Sequence, residues 1–387
     1  MSKALINKDI VSWALRRAGV SEAELADRLN IREEKVVSWT LGNDHPTFIQ
    51  AQTAAKVLGI PFGYFYLQKP PEEDLPLMDF RTVGSVGRNL DVNTKNLLQD
   101  ILYKRDWFKE YRVQQGYEKV SFIGSASQDM PPELVAKMIS QTLSLGPRPQ
   151  KGTFEEYLKF LVAQAENAGI WVMRTSMVGN NTHRPLSVNM FRGVAISDPL
   201  VPLILINSRD VKSAQIFTLA HELAHLWLGE SGISNVDLGA PRRDRVAGIE
   251  AFCNKVAAEI LTPKNEFLEH WRRHTSLNEQ VDELAGMFKV SRVVIARRAL
   301  DCRLISYEEY STFYQREQAR WDDEAEKRKD KSGSVPQHVM LPIRYGRSFT
   351  RSVLTEAVRG TMLLREAASL LGAKPSKMKA IYNKLQA

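Results

Sequence analysis

Cysteine is nearly absent. Cys253 and Cys302 are the only two in 387 residues. Two isolated thiols cannot build the disulfide framework of a small secreted domain, and they fit a reducing cytoplasm. Long apolar runs are missing too. None reaches the ~18 residues that a membrane span requires, so no membrane partner is expected. The opening segment, Met1 to Asp9, lacks the apolar core of a signal peptide. The chain is 43% hydrophobic, enough to fill ordinary cores. Its length suits about two or three domains.

Acidic residues are scarce in one place. The formal net charge is +8, and residues 335–387 hold nine Lys and Arg against two Glu. Almost all of the excess therefore sits in the last segment. Such a segment serves either as a solubilising surface or as a docking face for nucleic acid or an acidic protein.

Residues 1–69 read as short helices. One runs from Asn7 to Ala18. Ser21 caps the next, which ends at Leu29. A third covers Arg32 to Thr40, and Thr47 caps a fourth, Phe48 to Leu58. Helix, tight turn, helix is the layout of DNA-binding helix-turn-helix units. Leu25-Ala26-Asp27-Arg28-Leu29, Val36-Val37-Ser38-Trp39, Gly42 and Pro46-Thr47 resemble the Xre/Cro-type repressor domain. That resemblance implies DNA reading by the third helix, with Arg32 and Lys35 as candidate contacts. Glu33 and Glu34 on the same helix oppose phosphate, so a protein-docking role competes.

A linker follows, Lys69-Pro70-Pro71-Glu72-Glu73-Asp74. Leu75 to Arg81, apolar around Asp79 and Arg81, is expected to lie on a neighbouring domain. Helical periodicity returns at 93–117, 133–143 and 154–168. Then the period shortens. Residues 169–174, 188–196 and 202–207 read as strands of a small sheet whose edge can pair with an extended substrate.

The stretch Ile216 to Leu228 carries His221-Glu222-Leu223-Ala224-His225. Histidines four apart leave the same face of a helix, the geometry that a zinc ion needs from its first two ligands. Glu222 sits where a carboxylate can take a proton from the attacking water. The surrounding leucines and alanines mark a buried helix, where unsatisfied imidazoles are costly. A catalytic zinc takes three protein ligands. Glu250 is the strongest third candidate, on a helix marked by Phe252, Val256 and Ile260 and ended by Pro263. Glu259 and the remaining histidines are rivals, and a solvated surface charge is the plain alternative for Glu250.

Thr218 to His225, followed by Glu250, Cys253, Asn254, Ala257, Ala258, Leu261 and Pro263, resemble the ImmA/IrrE family of metallopeptidases. The resemblance implies Zn²⁺ held by His221, His225 and Glu250, with Glu222 as general base. It also implies a cytoplasmic endopeptidase acting on a regulatory protein, of repressor or antitoxin type, in stress responses, mobile elements or toxin–antitoxin pairs. His183, in the polar loop Asn180 to Pro185, is a candidate transition-state stabiliser.

Further on, Ser276 to Glu279 has the form of a capping box. It opens a second helix-turn-helix pattern bearing Arg292, Arg297 and Arg298, for which packing against the active-site helices competes with DNA reading. Lys331 to Ser334 reads as a flexible joint. Beyond it, helices at 349–359, 363–371 and 377–385 repeat the layout, with Lys374, Lys377 and Lys379 as candidate nucleic-acid contacts.

The expected class is α+β, mostly α. A helix-turn-helix domain (1–69) precedes a linker and helical region (70–168). A zincin-like peptidase domain (169–304) with a small sheet and the His-Glu-x-x-His helix comes next, then a basic helical segment (305–387). The expected function is that of a zinc-dependent endopeptidase with a protein substrate or partner. The alternative is a DNA-binding regulator or antitoxin that uses the peptidase fold to hold a partner.

Overall fold

A computed structural model describes residues 2–72, 78–79, 90–146, 152–234, 245–272, 275–327 and 336–386. The chain divides into two compact units. The first comprises Met1–Pro76, Gly87–Tyr103 and Met177–Leu186; the second comprises Leu77–Val86, Lys104–Ser176 and Ser187–Ala387.

The first unit opens with α1 (Lys8–Ala18), α2 (Glu22–Leu29), α3 (Glu33–Leu41) and α4 (Phe48–Leu58). Ser21 and Thr47 each accept a backbone N–H and are answered by Glu24 and Gln50, completing two capping boxes. Gly19, Gly42 and Gly59 end three of the helices in the left-handed conformation that only glycine adopts freely. The core is built from Ile10, Leu15, Leu25, Val36, Trp39, Ala51, Leu58 and Phe65. On α3 the exposed residues are Arg32 at the cap, Glu33, Glu34, Lys35, Val37 and Leu41.

The second unit takes β1 (Met78–Asp79) from the stretch expected to lie on a neighbouring domain. The rest of that stretch, with Glu73 and Asp74 of the linker, lies outside the described residues, as does the joint expected at Lys331 to Ser334. Helix α5 (Val92–Gln114) begins in the first unit and continues into the second. Next come α6 (Pro132–Thr142), α7 (Phe154–Asn167), β2 (Trp171–Thr175), β3 (Gly193–Ile196), β4 (Leu203–Asn207), α8 (Lys212–Leu228), β5 (Gly232–Ser234) and α9 (Arg245–Leu261).

Five strands form one mixed sheet in the order β1-β5-β3-β4-β2. β2 runs parallel to β4, β3 is antiparallel to β4 and β5, and β1 is parallel to β5. Every residue of β2 to β5 is buried, so these strands read as apolar runs without alternation. Three of them coincide with the strands expected from the sequence. β1 and β5 are too short to carry a periodic signal. Helix α8 packs on β3 and β4, and α9 packs on α8.

The chain continues through α10 (Lys264–His270), α11 (Leu277–Phe288), α12 (Arg292–Asp301), α13 (Tyr307–Lys327), α14 (Gln337–Tyr345), α15 (Arg347–Arg359), α16 (Leu364–Leu371) and α17 (Met378–Gln386). The capping box expected at Ser276 is present. Mostly helical, with one small mixed sheet, the chain is of the α+β class.

Candidate metal centre

Helix α8 is buried continuously from Gln215 to Trp227. A helix apolar on all sides requires neighbours all round, and its C-terminal turn shows how they are held. Gly229 ends the helix with φ 76°, and the 122–126 loop closes over it. Gly124 N–H donates to Leu226 C=O, Ala126 N–H donates to Trp227 C=O, and Phe122 stacks on Trp227 at 4.3 Å.

Three side chains converge in this environment. His221 and His225 lie one turn apart on α8, and α9 brings up Glu250. The two Nε2 atoms are 3.1 Å apart. Glu250 places Oε1 3.1 Å from His225 Nε2 and Oε2 3.3 Å from His221 Nε2. All three residues are buried. Ligand atoms bound at about 2.0–2.1 Å in a tetrahedron stand about 3.3 Å from one another. The set of two imidazoles and a carboxylate, at this spacing, thus fits a zinc ion with one position left over.

Two neighbours complete the arrangement. Asn254, four residues after Glu250 on α9, sets Oδ1 3.0 Å from His221 Nδ1. An amide oxygen only accepts, so Nδ1–H donates and Nε2 keeps its lone pair toward the cluster. Glu222 is fully buried, and neither carboxylate oxygen has a hydrogen-bond partner of good geometry. Its seat is made by the sheet. A methyl group on Gly193 would stand 2.1 Å from Glu222 Oε1 and 2.7 Å from Thr218 Cγ2, so only a glycine leaves room. Across the β3–β5 ladder Gly193 pairs with Ser234, whose buried hydroxyl is close enough to favour the Glu222 anion slightly. Upstream, the Asn207 amide donates to Ser187 C=O and Phe191 C=O, fixing the segment that enters β3.

Electrostatics separates the two glutamates. Burial pushes the Glu222 carboxyl up to about 8, against a smaller opposing effect of His221. Burial also acts to raise Glu250, but His221 and His225 beside it bring it down to about 2. Burial lowers His225. At His221 burial is outweighed by Glu250, and the net shift is upward. Burial raises the Cys253 thiol well above its ordinary range, leaving it an apolar filler of the α9 core.

Residues 165–300 match the peptidase M78 family model, an IrrE N-terminal-like domain. The span holds His221, Glu222, His225, Glu250 and Asn254, as well as β2, β3, β4 and β5. It supports the ImmA/IrrE resemblance of this part of the chain and suggests a metallopeptidase-type function for it. Residues 345–384 match a domain of unknown function (DUF8813). A search of curated proteins returned no match. Among the described residues no helix is long and apolar enough to cross a membrane.

The remaining candidates are not members of this cluster. His183 is exposed in the 177–186 segment of the first unit and is not one of the residues in the cluster. Arg32 and Lys35 are exposed at the start of α3, and Lys374, Lys377 and Lys379 are exposed around the start of α17. Glu259, the rival ligand, pairs with Arg298 instead. Gly193 and Ser234 were not singled out by sequence reasoning. A glycine within a strand is a signal of close approach, which would have marked the first of them.

Proposed function

We propose that the IrrE-like domain is a zinc-dependent endopeptidase. The observation that carries this reading is Glu222: a buried carboxylate without good hydrogen bonds, next in sequence to one member of a His, His, Glu cluster spaced for zinc. An orphaned buried carboxylate is expensive unless it has work to do on a substrate or solvent molecule.

In the proposed mechanism His221, His225 and Glu250 hold the ion. When bound, zinc supplies Lewis acidity toward the scissile carbonyl and the attacking water. Glu222 accepts the water proton on its carboxylate as the C–O bond forms and delivers it to the leaving amine nitrogen as the C–N bond breaks. Asn254 keeps His221 in the tautomer that offers Nε2. Gly193 and Ser234 set the position of the Glu222 carboxylate.

The substrate we propose is a cytoplasmic regulatory protein of repressor or antitoxin type. The resemblance to ImmA/IrrE peptidases supports it, as does the helix-turn-helix layout of α2 and α3 in the first unit. In a second reading the chain is a DNA-binding regulator or antitoxin that holds a partner on the peptidase fold; the exposed lysines at the start of α17 favour it. Co-expression with the genomic neighbours separates the two. Mass spectrometry is expected to find a protein shortened by the wild type but not by Glu222→Gln, which retains zinc. Glu250→Ala is expected to lose zinc by elemental analysis. Equal cleavage by wild type and Glu222→Gln would sink the peptidase reading.

A further inference from the structure

Three helix pairs in this chain share one local form. In α2–α3, α11–α12 and α16–α17 the first helix ends on a left-handed residue, and the second begins a few residues later. The left-handed residues are Asn30, Lys289 and Gly372, with φ of 52°, 53° and 57°. The pairs differ in what the second helix presents. α3 opens with the exposed carboxylates Glu33 and Glu34. The arginines of α12 are spent within the fold: Arg292 on Asp282 and Glu317, Arg297 on Asp301, Arg298 on Glu259. At α17 the lysines Lys374, Lys377, Lys379 and Lys384 are exposed, and none has a carboxylate partner among the described residues.

We propose that α16–α17 is a docking surface for duplex DNA, with α17 as the helix that enters the major groove. This is independent of the peptidase reading. The unit has the helix-turn-helix form: an eight-residue first helix, a turn opened by Gly372 and stiffened by the 3-10 segment Pro375–Lys377, then α17. Ala367, Ala368, Leu370 and Leu371 are buried from α16, and Met378 and Ile381 from α17, against α15.

The exposed side of α17 is patterned for a groove. At about 100° per residue, Ala380 and Asn383 lie opposite the buried Met378 and Ile381. Lys379 flanks them on one side and Lys384 on the other, while Lys377 precedes the helix in the 3-10 segment. Ammonium groups on both flanks suit the two phosphate walls of a groove about 12 Å wide. A small residue and an amide between them suit base edges. Charge complementarity names the occupant, since nucleic acid gains from each uncompensated lysine by counterion release.

Helix α15, on which both helices of the unit pack, is itself tied to β2. The Trp171 indole N–H on β2 donates to Tyr345 C=O at 2.5 Å, and Phe349 stacks on Trp171 at 4.7 Å. Gly346 sits so close to Trp171 that an added methyl would stand 2.7 Å from Cδ1. The Glu166 carboxylate accepts the Arg347 N–H at the start of α15.

The test uses the full chain and a labelled mixed-sequence duplex of about 30 base pairs, with fluorescence anisotropy followed from about 50 to 200 mM salt. Wild type is expected to bind, more weakly as salt rises. The triple variant Lys377→Ser, Lys379→Ser, Lys384→Ser is expected to lose at least about tenfold in affinity at low salt. Its log K against log salt slope should flatten by about 2.7, at about 0.9 per phosphate contact. Ala380→Glu, which sets a carboxylate at the centre of the face, is expected to abolish binding. Arg32→Ser with Lys35→Ser on α3 is expected to leave affinity within about twofold. The proposal is overturned by absence of salt-dependent binding in the wild type, by unchanged binding in variants with wild-type circular dichroism, or by loss of binding in the α3 variant. Competition by polyglutamate as strong as by unlabelled duplex would overturn it too, in favour of an acidic protein partner.

Discussion

Replacing Gly193 by alanine tests the seat of Glu222 directly. The added methyl group would stand 2.1 Å from Glu222 Oε1, 2.7 Å from Glu222 Cδ and 2.7 Å from Thr218 Cγ2. Ordinary contact begins near 3.4 Å, so the carboxylate must retreat by more than about 1 Å. Gly193 is locked between Ile206 of β4 and Ser234 of β5, and moving β3 instead would break both ladders. The cheaper escape is rotation of the Glu222 side chain. The variant should therefore fold, with an overpacking cost of about 1–3 kcal/mol. The proposed metal ligands lie on α8 and α9 and are untouched, so zinc content should match wild type. The catalytic step should suffer, because a displacement of about 1 Å can cost about 10²-fold in rate. The assay is cleavage of the substrate found by co-expression, with zinc by elemental analysis and urea unfolding as controls. A folded, zinc-loaded Gly193→Ala that cleaves at the wild-type rate would falsify the seat, while inactive Glu222→Gln would still leave the peptidase reading intact. Equal activity in all three proteins would remove both.

Two further predictions follow from the same site. Asn254→Ala removes the acceptor for His221 Nδ1–H and is expected to weaken zinc binding about 10–100-fold; Asn254→Asp, which keeps an acceptor there, should restore most of it, and equal affinities in all three would refute the positioning role. In chelator-treated protein, Glu222→Gln should flatten the pH dependence of stability. The wild-type carboxyl rises from an ordinary 4.5 to about 8 on folding. Its favourable contribution is therefore complete below pH 4.5 and is lost as pH climbs toward 8, at about 1.4 kcal/mol per pH unit. Glu250, held down at about 2, has the opposite sign, and its contribution is constant above about pH 5. Urea titrations between pH 5 and 8 should show the Gln variant gaining on wild type as pH rises. Parallel curves would show that Glu222 is not held in a desolvated site.

Local chemistry made much of this legible in the sequence. Ser21, Thr47 and Ser276 announce their helices because a cap is a contact within three residues. His221, Glu222 and His225 announce themselves because helical spacing alone puts them together. Glu250 required a second element, and it could be named only because its own helix and terminating Pro263 are readable. Contacts made through the sheet were out of reach. Gly193 meets Glu222, and Ser234 pairs with Gly193, only after β3, β4 and β5 have found their register. The same holds for the Trp171 bond to Tyr345 C=O, which joins residues 174 apart. Helix α14 was hidden by Pro342, a residue that ordinarily ends helices but here lies inside one. α12 shows the converse: Arg292, Arg297 and Arg298 read as a basic face, yet each is matched by a carboxylate, Asp301 one turn on for Arg297 and residues of other helices for Arg292 and Arg298.

The division of labour proposed for Glu222 and Glu250 is the clearest case of environment deciding role. As residue types they are interchangeable, and both are buried. Glu250 approaches His221 and His225 at 3.1–3.3 Å, so their charge outweighs desolvation and keeps it an anion over the whole neutral range. An anion of that kind suits a permanent ligand. Glu222 lies against the glycine of β3 and finds no good donor, and in the metal-free site burial raises its carboxyl to about 8. A carboxylate that readily carries a proton suits the traffic between attacking water and leaving amine. Two carboxyls of one site driven apart in this way are the pattern expected of an acid–base group beside a permanent anion. The sequence places both glutamates, but only the strand β3 beneath one and the imidazoles beside the other determine which does which.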